Sequence, residues 1–198
     1  MPVFDLDGTL LDSDMALVDA FVACGIPAES VTFGHVLADE CARLGIAVDH
    51  YLDAYDAASA QPFPGVVDLV ASLERWGVCS NKAGRSGRAE LERCGWSPDV
   101  ALFAEAFGGG PKRVGPVLDA LGVAASEAVF VGDTAHDRAC ARDAGCAFVL
   151  AGWNPRASAG PGDRVARHPR DVLDALGRTT GPPLAAPSHE LGRRRPSR

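Results

Sequence analysis

Two aspartates close to the N-terminus carry the first chemical signal in this sequence. Asp5 and Asp7 follow the apolar residue Val3 in the stretch VFDLDGT. Side chains two residues apart on a strand point the same way, so the two carboxylates either repel each other or share a cation. Two further acids, Asp12 and Asp14, follow the glycine turn. For this later pair a solvated or helix-capping role is favoured over a catalytic one.

Three later stretches add side chains that can handle a phosphate or a cation. They are CSNK (79–82), GPKR (110–113) and VGDTAHD (131–137). Of nineteen basic residues only two are lysines, Lys82 and Lys112, and both lie in these stretches. A lysine is a compact charge that fits where the arginine fork does not, which supports Lys112 as a group that neutralises negative charge. Lys82 is interpreted, with its neighbour Asn81, as a residue that fixes the loop.

The elements that must position these residues alternate between strand and helix. Apolar runs typical of buried strands are Val3–Leu6, Gly77–Ser80, Glu105–Gly108, Ala128–Gly132 and Ala147–Ala151. Helical periodicity lies between them, which predicts an α/β fold, a Rossmann-like three-layer arrangement with a parallel sheet. Ligands of such sheets bind beyond the carboxyl ends of the strands. We therefore expect Asp5, Asp7, Ser80 and Asp133 to lie at one edge.

A segment of nearly fifty residues breaks the alternation. Residues 15–25, 31–45 and 49–60 all have helical patterns, and together they are too long for a simple loop. We predict an all-helical insert at 14–62, hinged near 11–14 and 61–65, and a core of residues 1–13 and 63–176. The tail, residues 177–198, is rich in Pro, Gly and Arg and is expected to be disordered.

Composition limits the class of protein. The chain has 198 residues, 47% of them hydrophobic, and no apolar run long enough to span a bilayer. Six cysteines form no CxxC pair and are interpreted as reduced packing residues. The N-terminus begins on a strand and not on a signal peptide, so we expect a cytoplasmic protein with no membrane partner.

The net charge of −7 argues against nucleic-acid binding. That charge is local: residues 14–62 hold eight acids and one base, Arg43, and the rest of the chain is neutral.

The four stretches in their order resemble the haloacid dehalogenase (HAD) superfamily of phosphohydrolases. The shared features are DxDGT after a first strand, a Ser or Thr ending the second, a later Lys, and GDxxxD after a further strand. The helical insert is similar to the cap of the phosphoglycolate phosphatase and β-phosphoglucomutase-like branch. The resemblance covers residues 2–176 and implies a HAD-like core with an inserted cap.

The resemblance also implies roles for individual residues. Asp5 would be the nucleophile that forms an aspartyl-phosphate, and Asp7 the general acid and base. Gly8 would permit the tight turn, and Thr9 would support that loop. The expected phosphate-binding set is Gly8, Thr9, Ser80, Asn81 and Lys112, with Ser80 and Lys112 also in the catalytic set.

Four carboxylates that converge at one sheet edge would repel one another without a cation, and Mg²⁺ is the natural partner of such oxygen ligands. The resemblance implies the Asp5 carboxylate, the Asp7 backbone carbonyl and Asp133 as ligands. Asp137 would hold the metal shell or orient Lys112. His136 could shuttle a proton, although an exposed position at a helix start is the favoured interpretation.

The resulting expectation is a Mg²⁺-dependent phosphatase, monomeric or homodimeric, that hydrolyses a small phosphate monoester. Because the insert is acidic and holds one arginine, the leaving group should be neutral or cationic. A phosphomutase and a non-catalytic HAD-fold regulatory or binding protein stay open as alternatives. Asp7 argues against a dehalogenase, and an insert without lysine argues against a phosphonatase.

Overall fold

A six-stranded parallel sheet lies at the centre of the structure, a computed structural model that describes residues 1–33 and 36–178. The strands stand in the order β5-β4-β1-β6-β7-β8. Their bounds are β1 Pro2–Phe4, β4 Gly77–Cys79, β5 Val100–Leu102, β6 Val129–Gly132, β7 Ala147–Ala151 and β8 Arg164–Ala166. A separate two-stranded ribbon pairs β2 (Leu11–Asp12) with β3 (Gln61–Pro62). The predicted α/β fold with a parallel sheet is confirmed.

Eight helices of the described chain accompany the strands. They are α1 Asp14–Ala23, α2 Leu37–Leu44, α3 Val48–Ala54, α4 Val66–Ala71, α5 Gly84–Arg93, α6 Val114–Leu121, α7 Ala135–Ala144 and α8 Asp171–Arg178. Apolar side chains of α6 and α7 pack on one face of the sheet, and those of α4, α5 and α8 on the other. Successive residues of β1 pack on opposite faces of the sheet, since Val3 belongs to the hydrophobic cluster on one face and Phe4 to the cluster on the other. The strands are therefore apolar on both sides, as a covered parallel sheet requires.

Residues 14–62, which we name the helical segment, carry α1, α2 and α3. The ribbon of β2 and β3 brings the two ends of this segment together, with Leu11 opposite Pro62. The segment has its own small core, in which the rings of Phe21 and Tyr51 lie 4.4 Å apart. Helix α2 begins at Leu37 and not near residue 31 as the sequence pattern predicts.

One predicted strand is wrong. Glu105–Gly108 lies within and just after a single 3-10 turn, Ala104–Phe107, and the strand at this edge is β5. The backbone hydrogen bonds of this turn are local, from Ala106 N to Phe103 O at 2.8 Å and from Gly108 N to Glu105 O at 3.4 Å, which is the pattern of a 3-10 turn and not of a paired strand. Gly108, with φ of 66°, ends the turn.

The C-terminal part of the core extends beyond the sequence prediction. Strand β8 and helix α8 were not predicted, and α8 continues through Gly177 and Arg178. The predicted tail therefore begins inside a helix, and its remainder, from 179, lies outside the described residues. The six cysteines are all free. Within the described ranges, no helix has the length and apolar character needed to cross a membrane.

The substitution Gly87→Ala should destabilise the fold although alanine favours helices. A Cβ at Gly87 in α5 would lie 2.3 Å from Phe103 Cε1, and the Phe103 ring is buried and cannot move aside. We expect the free energy of unfolding, measured by urea denaturation, to fall by about 1–3 kcal/mol.

Gly115→Ala in α6 is the matched control, because a Cβ there would meet no atom within 4 Å. It should raise the free energy of unfolding by up to about 1 kcal/mol, since alanine restricts the unfolded chain. Equal effects of the two substitutions would contradict the packing between α5 and Phe103.

Candidate active site

A cavity of about 360 Å³ lies between the carboxyl ends of the strands and the helical segment. The core residues that line it include most of those predicted from the sequence. They are Asp5, Asp7, Ser80, Asn81, Lys82, Lys112 and Asp133. The parallel sheet thus brings together side chains that are up to 128 positions apart in the sequence.

Asp5 lies at the floor of this cavity, one residue beyond the end of β1. Its backbone N–H donates to Val131 O at 2.9 Å, so it continues the pairing with β6. One carboxylate oxygen, Oδ1, accepts from Leu6 N at 2.8 Å. The other, Oδ2, lies 2.7 Å from Lys112 Nζ. Asp5 is therefore held by two contacts and is only 6% exposed.

Lys112 joins two carboxylates. Its ammonium lies 2.7 Å from Asp137 Oδ1 as well as 2.7 Å from Asp5 Oδ2. Burial alone would lower the pKa of Lys112, but Asp137 and Asp5 outweigh it and raise that pKa above its ordinary value. The backbone N–H of Lys112 donates to Asn81 Oδ1 at 2.7 Å, so the Asn81 side chain positions the lysine. The lysine is charged and fixed beside Asp5.

Asp137 is placed by the start of α7. Thr134 caps this helix, and Asp137 Oδ2 accepts from Thr134 N at 2.9 Å and from Thr134 Oγ1 at 2.6 Å. This is a capping box, with Asp in the position where Glu or Gln is usual. Burial acts to raise the pKa of Asp137, but Lys112 and Thr134 hold it below its ordinary range. Both carboxylate oxygens are engaged by the protein, which favours the role of orienting Lys112.

Three buried carboxylates form a cluster that suits a hard cation. One oxygen from each of Asp5, Asp133 and Asp137 lies within 4.8 Å of the others. Burial and the neighbouring carboxylates raise the pKa of Asp5 to about 8 and that of Asp133 to about 6. Ionisation of all three is therefore unfavourable unless positive charge beyond Lys112 is supplied. An all-oxygen donor set of this kind fits Mg²⁺.

Two side chains hold the Asp133 carboxylate, one from the loop after β1 and one from the loop after β7. Its Oδ1 accepts from Thr9 Oγ1 at 3.1 Å, and its Oδ2 accepts from Asn154 Nδ2 at 3.0 Å. Gly8 is required here, because its φ is 73° and a Cβ would lie 2.5 Å from Asp133 Oδ2. Gly8 and Thr9 were expected to bind phosphate, but neither is among the residues that line the cavity. In the structure they support Asp133 and the turn.

Asn154 was missed in the sequence prediction. Its side chain also donates to Gly8 O at 2.8 Å, and the neighbouring Trp153 donates from Nε1 to Thr9 O at 2.9 Å. Both follow β7 at the same edge as Asp133. The rule that ligand residues follow the carboxyl ends of strands would have pointed to them.

Asp7 is oriented by two donors. Ser13 Oγ donates to its Oδ1 at 2.6 Å, and Lys82 Nζ donates to the same oxygen at 2.7 Å. Asp7 lines the cavity, and its side chain is more exposed than that of Asp5. No described residue donates a hydrogen bond to its second oxygen, Oδ2. That oxygen is available to a bound molecule.

Lys82 belongs to a buried network that links the core to the helical segment. Its Nζ lies 3.0 Å from Glu90 Oε1 and donates to Tyr55 Oη at 2.9 Å, and Tyr55 donates to Glu90. Burial raises the pKa of Glu90 to about 7, despite Lys82. The sequence gives no signal for Glu90, which sits in the polar stretch GRAELER and becomes fully buried only in the folded chain. Lys82 therefore does more than fix its loop.

The remaining predicted residues also lie at the cavity. Ser80, 1% exposed, lines it directly after β4, and Ser80 Oγ accepts from Lys82 N at 3.2 Å. His136, expected to be exposed, is half-buried on the cavity wall. Burial and then the charge of Lys112 lower the pKa of His136, which favours the neutral ring.

The chain matches the family described as haloacid dehalogenase-like hydrolase over residues 3–151, and it belongs to that family. A phosphoglycolate phosphatase of Xanthomonas campestris pv. campestris is 33% identical over 187 positions, which cover 78% of this chain and 83% of that protein. An N-acetylmuramic acid 6-phosphate phosphatase of Pseudomonas aeruginosa is 30% identical over 217 positions, with coverage of 89% and 94%.

Solved structures agree on the fold. A HAD-superfamily hydrolase of subfamily IA from Geobacter sulfurreducens superimposes with a TM-score of 0.63 at 23% identity and covers 89% of this chain and 95% of its own. At that identity the match shows the fold alone. Together these matches confirm the predicted superfamily and the prediction that the protein is a hydrolase.

Substitution of Lys82 by methionine should lower the free energy of unfolding by about 3–5 kcal/mol. The reason is that Glu90, 0% exposed, would stay buried without its counter-charge. In the double variant Lys82→Met/Glu90→Met both charges are gone, and most of the loss should be recovered. Urea denaturation of the three proteins tests this, and a double variant no more stable than the single one would contradict the pairing.

The carboxylate cluster should make stability depend on pH when Mg²⁺ is absent. Asp5 and Asp133, with pKa values of about 8 and about 6, lose their protons at higher pH than unfolded aspartate does, at about 3.9. The unfolded chain therefore ionises first, and rising pH favours unfolding from about pH 4 to about pH 8. Lys112 stays charged throughout this interval and does not reverse the sign.

Mg²⁺ should counter this loss, because metal binding needs ionised carboxylates. Thermal melts with Mg²⁺ or with a chelator should show a larger Mg²⁺-dependent rise in Tm at pH 8 than at pH 5. Asp133→Asn removes one ligand of the cluster and should lose most of that rise. A rise of the same size in Asp133→Asn would mean that Mg²⁺ binds elsewhere.

Proposed function

We propose that this protein is a Mg²⁺-dependent phosphatase that hydrolyses a small phosphate monoester through an aspartyl-phosphate on Asp5. The observation that carries the proposal is the placement of Asp5 on a cavity wall, 2.7 Å from the Lys112 ammonium and clustered with Asp133 and Asp137. The two relatives support the reaction class, since both are named phosphatases.

In the first step the Asp5 carboxylate attacks phosphorus and the bond to the leaving oxygen breaks. Asp7 gives a proton to that oxygen, so the leaving group departs as an alcohol. Oδ2 of Asp7 suits this task, because Oδ1 is occupied by Ser13 and Lys82. In the second step Asp7 takes a proton from water, the water oxygen attacks the phosphoenzyme, and phosphate and the Asp5 carboxylate are released.

Fixed donors would stabilise the charge that spreads over the phosphoryl oxygens. Lys112 stands beside Asp5, Ser80 and Asn81 line the same cavity, and the Ser80 hydroxyl and the Asn81 backbone N–H would serve as the further donors. Mg²⁺, held by the Asp5 and Asp133 carboxylates and the Asp7 backbone carbonyl, would neutralise charge between nucleophile and phosphate. Asp137 acts through Lys112 as a positioning residue.

The helical segment would act as the cap of this site. It supplies one wall of the cavity and touches the core through Tyr55, which donates to Glu90 and accepts from Lys82. A cap in this place excludes bulk water from the phosphoenzyme and selects the leaving group.

Neither alternative has a specific observation in its favour. A phosphomutase must retain a phosphorylated intermediate, which calls for free cations in the cap, but Arg43 is paired with Glu40. A non-catalytic binding protein would not need both Asp5 and Asp7 at the cavity. The cytoplasmic location, the monomeric or homodimeric state and the absence of nucleic-acid partners stay predictions.

Release of phosphate from an aryl phosphate tests the proposal. Wild-type protein should require Mg²⁺, Asp5→Asn should fall to background, and Asp7→Asn should lose about 10²–10⁴-fold in kcat/KM. Asp12→Asn changes an exposed carboxylate nearby and is the matched control, expected to keep full activity. Activity of Asp5→Asn equal to that of wild type would overturn the proposal.

A further inference from the structure

Apolar side chains make up much of the cavity lining that the helical segment supplies, beside Thr32, Tyr51 and the acids Asp14 and Glu40. The apolar side chains are those of Leu17 and Phe21 of α1, of Val31 and Phe33 that follow α1, and of Leu37, the first residue of α2. These side chains face the space that a leaving group would occupy once its phosphate lies beside Asp5. The side chains that line the cavity are therefore a better guide to the leaving group than the net charge of the helical segment.

The acids of the helical segment add no unpaired negative charge to this part of the cavity. Six of its eight acids are exposed: Asp19, Glu29, Asp39, Asp49, Asp53 and Asp56. The other two, Asp14 and Glu40, line the cavity but are paired with Arg156 and Arg43. A cationic leaving group would therefore find no uncompensated carboxylate among the described residues of the segment.

The cations at the cavity are also compensated. Lys112 is paired with Asp5 and Asp137, and Lys82 with Asp7 and Glu90. Arg156 is paired with Asp14, and its guanidinium lies 4.4 Å from the centre of the Phe33 ring. An anionic leaving group would enter without a free cation among the described residues, and an unpaired charge in such a site is costly.

A buried tyrosine hydroxyl in this region lacks a hydrogen-bond partner among the described residues. Tyr51 of α3 lines the cavity and is 1% exposed, and no described residue makes a hydrogen bond with its hydroxyl. The ring is held between Phe21, at 4.4 Å, and Tyr55, at 5.9 Å between ring centroids. Buried hydroxyls are normally satisfied, so an unpartnered one at a cavity points to a ligand that completes it.

We propose that the substrate is a phosphate monoester whose leaving group is an uncharged, largely apolar alcohol with one group that hydrogen-bonds to Tyr51. The inference rests on the proposed phosphatase function and narrows the neutral or cationic leaving group expected from the sequence. It also separates this protein from the named activity of its relative, since phosphoglycolate carries a carboxylate on a two-carbon leaving group.

Four esters of primary alcohols test the inference, because their leaving groups differ in charge and polarity. Benzyl phosphate is apolar, 3-(hydroxymethyl)benzyl phosphate adds one hydroxyl, phosphoglycolate is anionic and 2-aminoethyl phosphate is cationic. We expect kcat/KM for the two benzyl esters to exceed that for the two charged esters by at least about tenfold. The hydroxymethyl ester should be the better of the two benzyl esters, and this preference should fall to parity in Tyr51→Phe.

Two arginine substitutions on α1, one at the cavity and one away from it, provide a matched comparison. Leu17→Arg puts a cation at the cavity and should shift the ratio of kcat/KM values at least about tenfold toward phosphoglycolate. Met15→Arg adds the same charge on α1 at a position that is 69% exposed and away from the cavity, and the ratio should not change.

The outcomes separate this inference from the proposed function, with Asp5→Asn as the blank throughout. If phosphoglycolate or 2-aminoethyl phosphate is the best of the four and its turnover requires Asp5, the inference is wrong and the phosphatase proposal stands. If no ester is hydrolysed above the Asp5→Asn blank, the phosphatase proposal fails, and the inference that rests on it fails too.

Discussion

The ion pairs of the Lys112 ammonium with Asp5 and Asp137 are the interaction on which the rest of this site depends. The lysine is almost completely buried, and it lies 2.7 Å from an oxygen of each carboxylate. It offsets part of the charge that gathers where the central strands end, and the remaining carboxylate of Asp133 leaves a demand for a further cation. Asn81 and the capping box of α7 hold the two ends of this arrangement in place.

A second buried lysine connects the chemistry to the helical segment. Lys82 contacts Asp7 in the core and Tyr55 in the segment, and Glu90 beneath them compensates its charge. One side chain thus contacts both Asp7, the proposed acid and base, and the helical segment. Separation of the helical segment from the core would break a hydrogen bond to this buried charge, so the contact fixes the position of the segment on the core.

Much of the site could be predicted from local sequence because its residues follow strands. In a parallel sheet every carboxyl end lies at one edge, so Asp5, Asp7, Ser80 and Asp133 had to meet once the strands were recognised. The recognition of strands failed where the local pattern was ambiguous. The predicted strand Glu105–Gly108 is a 3-10 turn closed by local backbone hydrogen bonds, and the short strand β5 before it forms the sheet edge.

The sequence by itself determined the alternation of strands and helices over most of the core, the helical character of residues 14–62 and the identity of the charged groups, since these follow from periodicity and from residue type. Only the tertiary structure decided which charges are buried together. Glu90 and Asn154 carry no local mark, because a contact between residues far apart in the chain leaves no trace in the periodicity of either segment. The same holds for the surroundings of Tyr51. The composition shows only that the helical segment is acidic. In the folded chain most of its acids are exposed, and several of its apolar side chains line the cavity.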